Sequence, residues 1–138
     1  MRFQLKLAVL AAVVLGVAYL GTAEAKDDDI KDIKGCMVFQ GKVRKDVPEL
    51  LKAKDPNWED VQKQTKDWVA MAETLGKQKP PRGSDESWKK QTEKYLTTVK
   101  DVDSAAQKKD LDGMKKGLGF VSNTCKECHP QHKPAKGK

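Results

Sequence analysis

The last part of the chain carries a row of apolar residues that ends in reactive ones. Leu111, Met114, Leu118, Val121, Cys125 and Cys128 step by three, four, three, four and three residues. Alternating steps of this kind keep one face of an α-helix together and do not fit a strand. The two thiols lie on the same seam as the apolar residues before them, so whatever they hold faces inward. His129 follows the second thiol directly.

Cys125-Lys126-Glu127-Cys128-His129 reads C-x-x-C-H. Helical positions three apart share a face, so Cys125 and Cys128 can form thioether bonds to the two vinyl groups of one porphyrin. The imidazole of His129 can then ligate the iron. Three other readings of the spacing are a structural disulfide, half of a zinc site and a thioredoxin-like pair. Zinc needs two more ligands, and only Cys36, His132 and carboxylates remain, with no second paired motif. A thioredoxin-like site needs a βαβ context, and the sequence carries no strand signal. Covalent haem c, with its iron, is the preferred cofactor, provided that the chain is exported.

The N-terminus meets that condition. Arg2 and Lys6 flank a short start, Leu7 to Leu20 is almost wholly apolar, and Ala23-Glu24-Ala25 supplies the small residues of a cleavage site. Residues 1–25 are read as a signal peptide cleaved after Ala25, and residues 26–138 as one small domain in the periplasm. An uncleaved anchor is the alternative, because the apolar run is near the lower length limit for spanning. No Cys closely follows the apolar run, which argues against a lipid anchor.

Three cysteines do not suit a framework of disulfides alone. With Cys125 and Cys128 on haem, Cys36 remains as a buried, inert thiol, or as a route to a homodimer through an intermolecular disulfide. The formal charge of +7 falls by one when the leader removes Arg2, Lys6 and Glu24. An exported protein rarely meets nucleic acid, so the basic, well-mixed surface is read as solubility and as steering toward acidic partners. No nucleophile–base constellation or phosphate-binding loop is present, so no enzyme is expected.

The mature chain divides into four helical stretches. Ile30, Ile33, Met37, Gly41 and Arg44 form the first stripe, and Asp46-Val47-Pro48 is a place where the helix breaks or restarts. Gly35 and Gly41 each weaken this helix by about 1 kcal/mol relative to Ala. Trp58, Val61, Thr65, Trp68, Val69, Ala72 and Leu75 form the second stripe, ended by Gly76. Gly76 to Gly83, with Pro80-Pro81 inside, is the longest loop. Ser84-Asp85 opens the third helix, whose row is Trp88, Thr92, Tyr95, Val99, Val102 and Ala106. Lys109-Asp110 opens the fourth, where Gly113, Gly117 and Gly119 make room for close packing. Pro130 usually ends a helix or kinks it, and His132 is read as an exposed tail histidine. The three tryptophans are read as core aromatics.

Four helices with short connections predict an all-α, antiparallel up-down-up-down four-helix bundle with covalent haem near one end. The start of the first helix and the end of the fourth then share that end. Met37, about 10 Å along the axis from Ile30, and His129 can both reach one haem.

On these features the chain resembles the class II c-type cytochromes, the group of cytochrome c′ and its low-spin relatives. The resemblance rests on Cys125-Lys126-Glu127-Cys128-His129 close to the C-terminus, the signal peptide and the four amphipathic helices. Pro80-Pro81-Arg82-Gly83 followed by Ser87-Trp88-Lys89 is also similar to the loop and third-helix start of some members. It covers nearly the whole mature chain, although only the haem motif is highly specific. Class I cytochromes c place that motif near the N-terminus instead. The resemblance implies two branches. Low-spin members carry a Met near the start of the first helix as sixth iron ligand and transfer electrons to transient redox-partner proteins. High-spin cytochromes c′ place an apolar side chain there and bind gases such as nitric oxide or carbon monoxide. Met37 occupies the matching place, with Met71 and Met114 as weaker candidates. Arg44 and Lys133 are candidates to pair with haem propionates.

Overall fold

The computed structural model describes residues 30–135. Residues 1–29, which include the expected signal peptide, and the last three residues lie outside the described residues. Four helices, α1 (Ile33–Leu50), α2 (Trp58–Gly76), α3 (Asp85–Gln107) and α4 (Leu111–His132), account for the regular structure, with no strand among the described residues. The arrangement is consistent with a four-helix bundle.

Each helix begins where a short polar side chain can satisfy its first free amides. Asp32 accepts from the Gly35 amide at 2.7 Å, and Asn57 accepts from Asp60 at 3.4 Å. Ser84 accepts from Ser87 at 3.2 Å, and Asp110 accepts from Gly113 at 2.9 Å.

The helices pack in chain order, α1 on α2, α2 on α3 and α3 on α4. All six expected residues of the α3 row are buried, from Trp88 to Ala106. On α2 the buried row is Val61, Thr65, Trp68, Met71, Ala72 and Leu75. Each fully buried Val or Met contributes roughly 1.5–3 kcal/mol. Trp68 Nε1 donates to Tyr95 Oη at 2.6 Å inside the core. Burial, partly offset by that bond, drives the Tyr95 phenol well above its ordinary pKa. At Gly117 α4 packs tightly on α3, since a Cβ there would stand 2.7 Å from Val102 Cγ2. Gly119 has no such role, because a Cβ there meets nothing within 4 Å.

Neither proline interrupts its helix. Pro48 lies inside α1 and Pro130 inside α4. Each removes one N–H bond, to the carbonyls of Arg44 and Lys126, and both of these residues are exposed, where water can take the free acceptor. No helix among the described residues is long and apolar enough to cross a membrane. The apolar run Leu7–Leu20 lies outside them.

Candidate functional site

A cavity of about 670 Å³ opens where α1 begins, α2 ends, α3 begins and α4 ends. Ile33, Met37, Gln40, Gly41 and Arg44 line it from α1, and Leu75 from α2. Trp88, Gln91, Thr92 and Tyr95 line it from α3, and Cys125, Cys128, His129 and His132 from α4.

The expected stripe of α1 is therefore the cavity wall rather than the core row. The fully buried residues of α1 are Cys36, Gln40, Val43 and Val47, one helical step, about 100°, around from Met37 and Arg44. A similar correction applies to α4. Its buried row is Met114, Gly117, Val121 and Thr124. Cys128 continues that row one turn on, Cys125 stands beside it, and both thiols are half-buried against the core. The pattern of apolar residues cannot tell a face turned to other side chains from a face turned to a cavity.

The four predicted site residues share this space. Cys125, Cys128 and His129 come from the last turns of α4, and Met37 comes from α1. Met71 and Met114 are instead core residues, 1% and 0% exposed, and neither lines the cavity. The α1 and α4 walls are joined by two side-chain bonds. Gln40 Nε2 donates to Cys125 Sγ at 2.9 Å, and Arg44 Nη2 donates to Ser122 Oγ at 2.9 Å. Glu127, between the two cysteines, pairs with Lys94 of α3. Both side chains of that pair are exposed, so it contributes little stability.

Electrostatics suit a neutral ligand set. Burial first, then the charges of Lys133 and Arg44, hold the His129 imidazole below its ordinary pKa, which favours the neutral form that binds metal. Burial and the neighbouring Cys125 raise the Cys128 thiol. Cys36 is also raised, by burial and then by Asp32. It is fully buried, so a disulfide to a second copy would first require α1 to open.

The thiols, the imidazole and the space they face fit a haem. The cavity volume falls within the range of roughly 300–1,000 Å³ of cofactor pockets. A Cβ on Gly41 would meet nothing within 4 Å, so the wall beside Met37 is open enough for a flat group. Arg44 and Lys133 stand at the rim with their charges available to carboxylates. Gln91 Oε1 is buried at the wall with no hydrogen-bond partner among the described residues, a feature that a ligand site can explain. No group of three or more His, Cys, Asp or Glu side chains that could hold a metal ion is present among the described residues.

Sequence reading missed two residues of the site. Gln40 is a polar residue on a core row, 5% exposed, and it was not singled out. His132 is 2% exposed, not a solvated tail histidine. Its spacing held the signal, four residues after Cys128 on the buried row. Pro130, read as ending or kinking the helix, hid it.

Comparison with known proteins finds no matching family model, no matching curated protein and no matching solved structure.

Proposed function

We propose that this chain is an exported electron carrier of the class II c-type cytochrome kind, an antiparallel up-down-up-down bundle with covalent haem at one end. The observation that carries the reading is the convergence of Cys125, Cys128, His129 and Met37 on one cavity from two helices. Cavity lining drawn from the start of α1, the end of α2, the start of α3 and the end of α4 supports the antiparallel order. When bound, haem c supplies a one-electron iron couple.

The chain's own residues do the rest. Cys125 and Cys128 would hold the group covalently, and Gln40 orients the Cys125 sulfur through the hydrogen bond that its side-chain amide donates. His129 presents a neutral imidazole to the iron from α4. Met37 presents a thioether from α1, which raises the reduction potential relative to a site without it. Ile33, Leu75, Pro81 and Trp88 exclude water with apolar surface. Arg44 and Lys133 take the carboxylates at the rim. Contacts with redox partners are small and transient, steered by the basic surface.

Visible spectra of the purified ferric and ferrous protein test the ligand set. Low spin in the wild type and high spin in Met37→Ala are expected. A high-spin wild type, or an unchanged spectrum in the variant, removes Met37 as a ligand.

A second reading, binding of nitric oxide or carbon monoxide, is favoured by the open space beside Gly41 next to Met37. If Met37 detaches, a gas can take its place. Rapid binding of carbon monoxide to the reduced protein supports this reading, and no binding at saturating gas dismisses it.

A further inference from the structure

The loop joining α2 to α3 and the last turn of α4 meet at one buried side chain, His132. Its Nδ1 lies 2.8 Å from the Arg82 carbonyl oxygen. A carbonyl only accepts, so the ring carries a proton on Nδ1. Its Nε2 lies 3.0 Å from Ser87 Oγ. That hydroxyl also stands 2.6 Å from Gln131 Oε1, with one proton to share between the two. The Trp88 ring meets the imidazole edge-on, with centroids 5.2 Å apart.

The loop is shaped around this ring. Gly83 has φ +82°, and a Cβ there would stand 2.8 Å from His132 Nδ1, so backbone conformation and space both require glycine. Arg82 completes the contact from the other side. Its guanidinium donates to the carbonyls of Pro130 and Gln131, two of the acceptors that a helix end leaves without partners. A cation there also suits the helix dipole. Arg82, Gly83, Ser87 and Trp88 thus converge on a histidine 44 to 50 residues further along.

The turn fixed in this way is the one that carries His129. The Lys133 amide donates to the His129 carbonyl at 3.0 Å, which places His129 and the clamp in the same turn. No side-chain hydrogen bond to the His129 ring is present among the described residues, so the backbone sets the direction of that ring. We infer that His132 is a positioning residue for His129. It anchors the end of α4 to the α2–α3 loop and so fixes where the proximal imidazole stands. The inference rests on the reading of His129 as an iron ligand. Partners behind a ligating histidine tune metal sites in the same manner, but here the partner acts through the backbone.

The test uses the full chain, exported and loaded, as wild type, His132→Leu, His132→Asn and Ser87→Ala. Leu keeps bulk and loses both bonds. Asn keeps a donor near the Nδ1 position. In His132→Leu, the iron–histidine stretching band in resonance Raman shifts while covalent haem content is unchanged. Amides of the last turn of α4, Lys133 among them, exchange about ten-fold faster, and core amides of α3 do not change. His132→Asn restores most of both signals. If His132→Leu does not fold, Ser87→Ala gives the same changes at smaller size, because it leaves the ring in place. An unmoved iron–histidine band overturns the inference, as does faster exchange spread evenly over all four helices. A wild type without covalent haem refutes the haem reading instead. Anchoring is then decided by exchange alone: faster exchange confined to the last turn upholds it, and unchanged exchange overturns it.

Discussion

The two ends of the four-helix arrangement are finished in different ways. Where α2 begins, α3 ends and α4 begins, the interior is closed by side chains. Val61, Thr65, Val102, Ala106 and Met114 are all 0% exposed. Thr65 Oγ1 donates to Asp103 at 2.7 Å, Gln62 Nε2 donates to the Ala106 carbonyl at 3.1 Å, and Gly117 lets α4 close onto Val102. At the other end, the same four helices enclose a cavity, and its thiols and Met37 are only half-buried. The closed end is filled by buried side chains, and the candidate site lies where packing has been left incomplete.

Substitutions that remove the same side chain at each end break or sharpen this contrast. Met114→Ala leaves a hole in a closed core and costs about 3 kcal/mol. Met37→Ala removes half-buried surface and costs about 1 kcal/mol. Urea unfolding of the two variants side by side measures both, and equal losses would erase the distinction between the ends. The glycines give a pair of opposite sign. Gly117→Ala pushes a Cβ into Val102 and destabilises by about 2 kcal/mol. Gly41→Ala meets nothing within 4 Å and gains up to about 1 kcal/mol from helix propensity. Thermal unfolding that ranks them the other way would show that α1, not α4, is the tightly packed helix.

The smallest expected effect lies at the closed end, in the turn between α3 and α4. Lys109 has φ +56°, a left-handed conformation that disfavours a side chain. Lys109→Gly should therefore stabilise by about 1 kcal/mol, with no change at the cavity. A loss of stability, read from the same unfolding curves, would mean that the Lys109 side chain makes contacts worth more than the strain.

The part most legible in the sequence was α3, which packs on both α2 and α4. On α3 the period of Trp88, Thr92, Tyr95, Val99, Val102 and Ala106 named the buried row without error, although its first half, Trp88, Thr92 and Tyr95, also lines the cavity. On α1 the same reasoning chose Ile33, Met37, Gly41 and Arg44, which face the cavity, and left Gln40, Val43 and Val47 out of the row, although Cys36 was expected to be buried and is. Spacing records which residues share a face, not what that face looks at. Pro48 and Pro130 misled for a related reason, since the cost of a missing amide depends on whether its acceptor can reach water. The convergence of Cys125, Cys128, His129 and Met37 was readable from motif and topology. The His132 clamp was not, because it depends on a loop closing over a helix turn that lies beyond a proline read as ending or kinking that helix.

Attachment of the pigment decides the account most directly. The protein is produced with its leader in a host that exports and matures c-type haem, then denatured and extracted with acidified acetone. Colour should remain with the polypeptide, and a Cys125→Ala, Cys128→Ala double variant should lose it. Pigment that passes into the solvent, or a colourless wild type, contradicts the claim that two thiols at the end of α4 hold a haem.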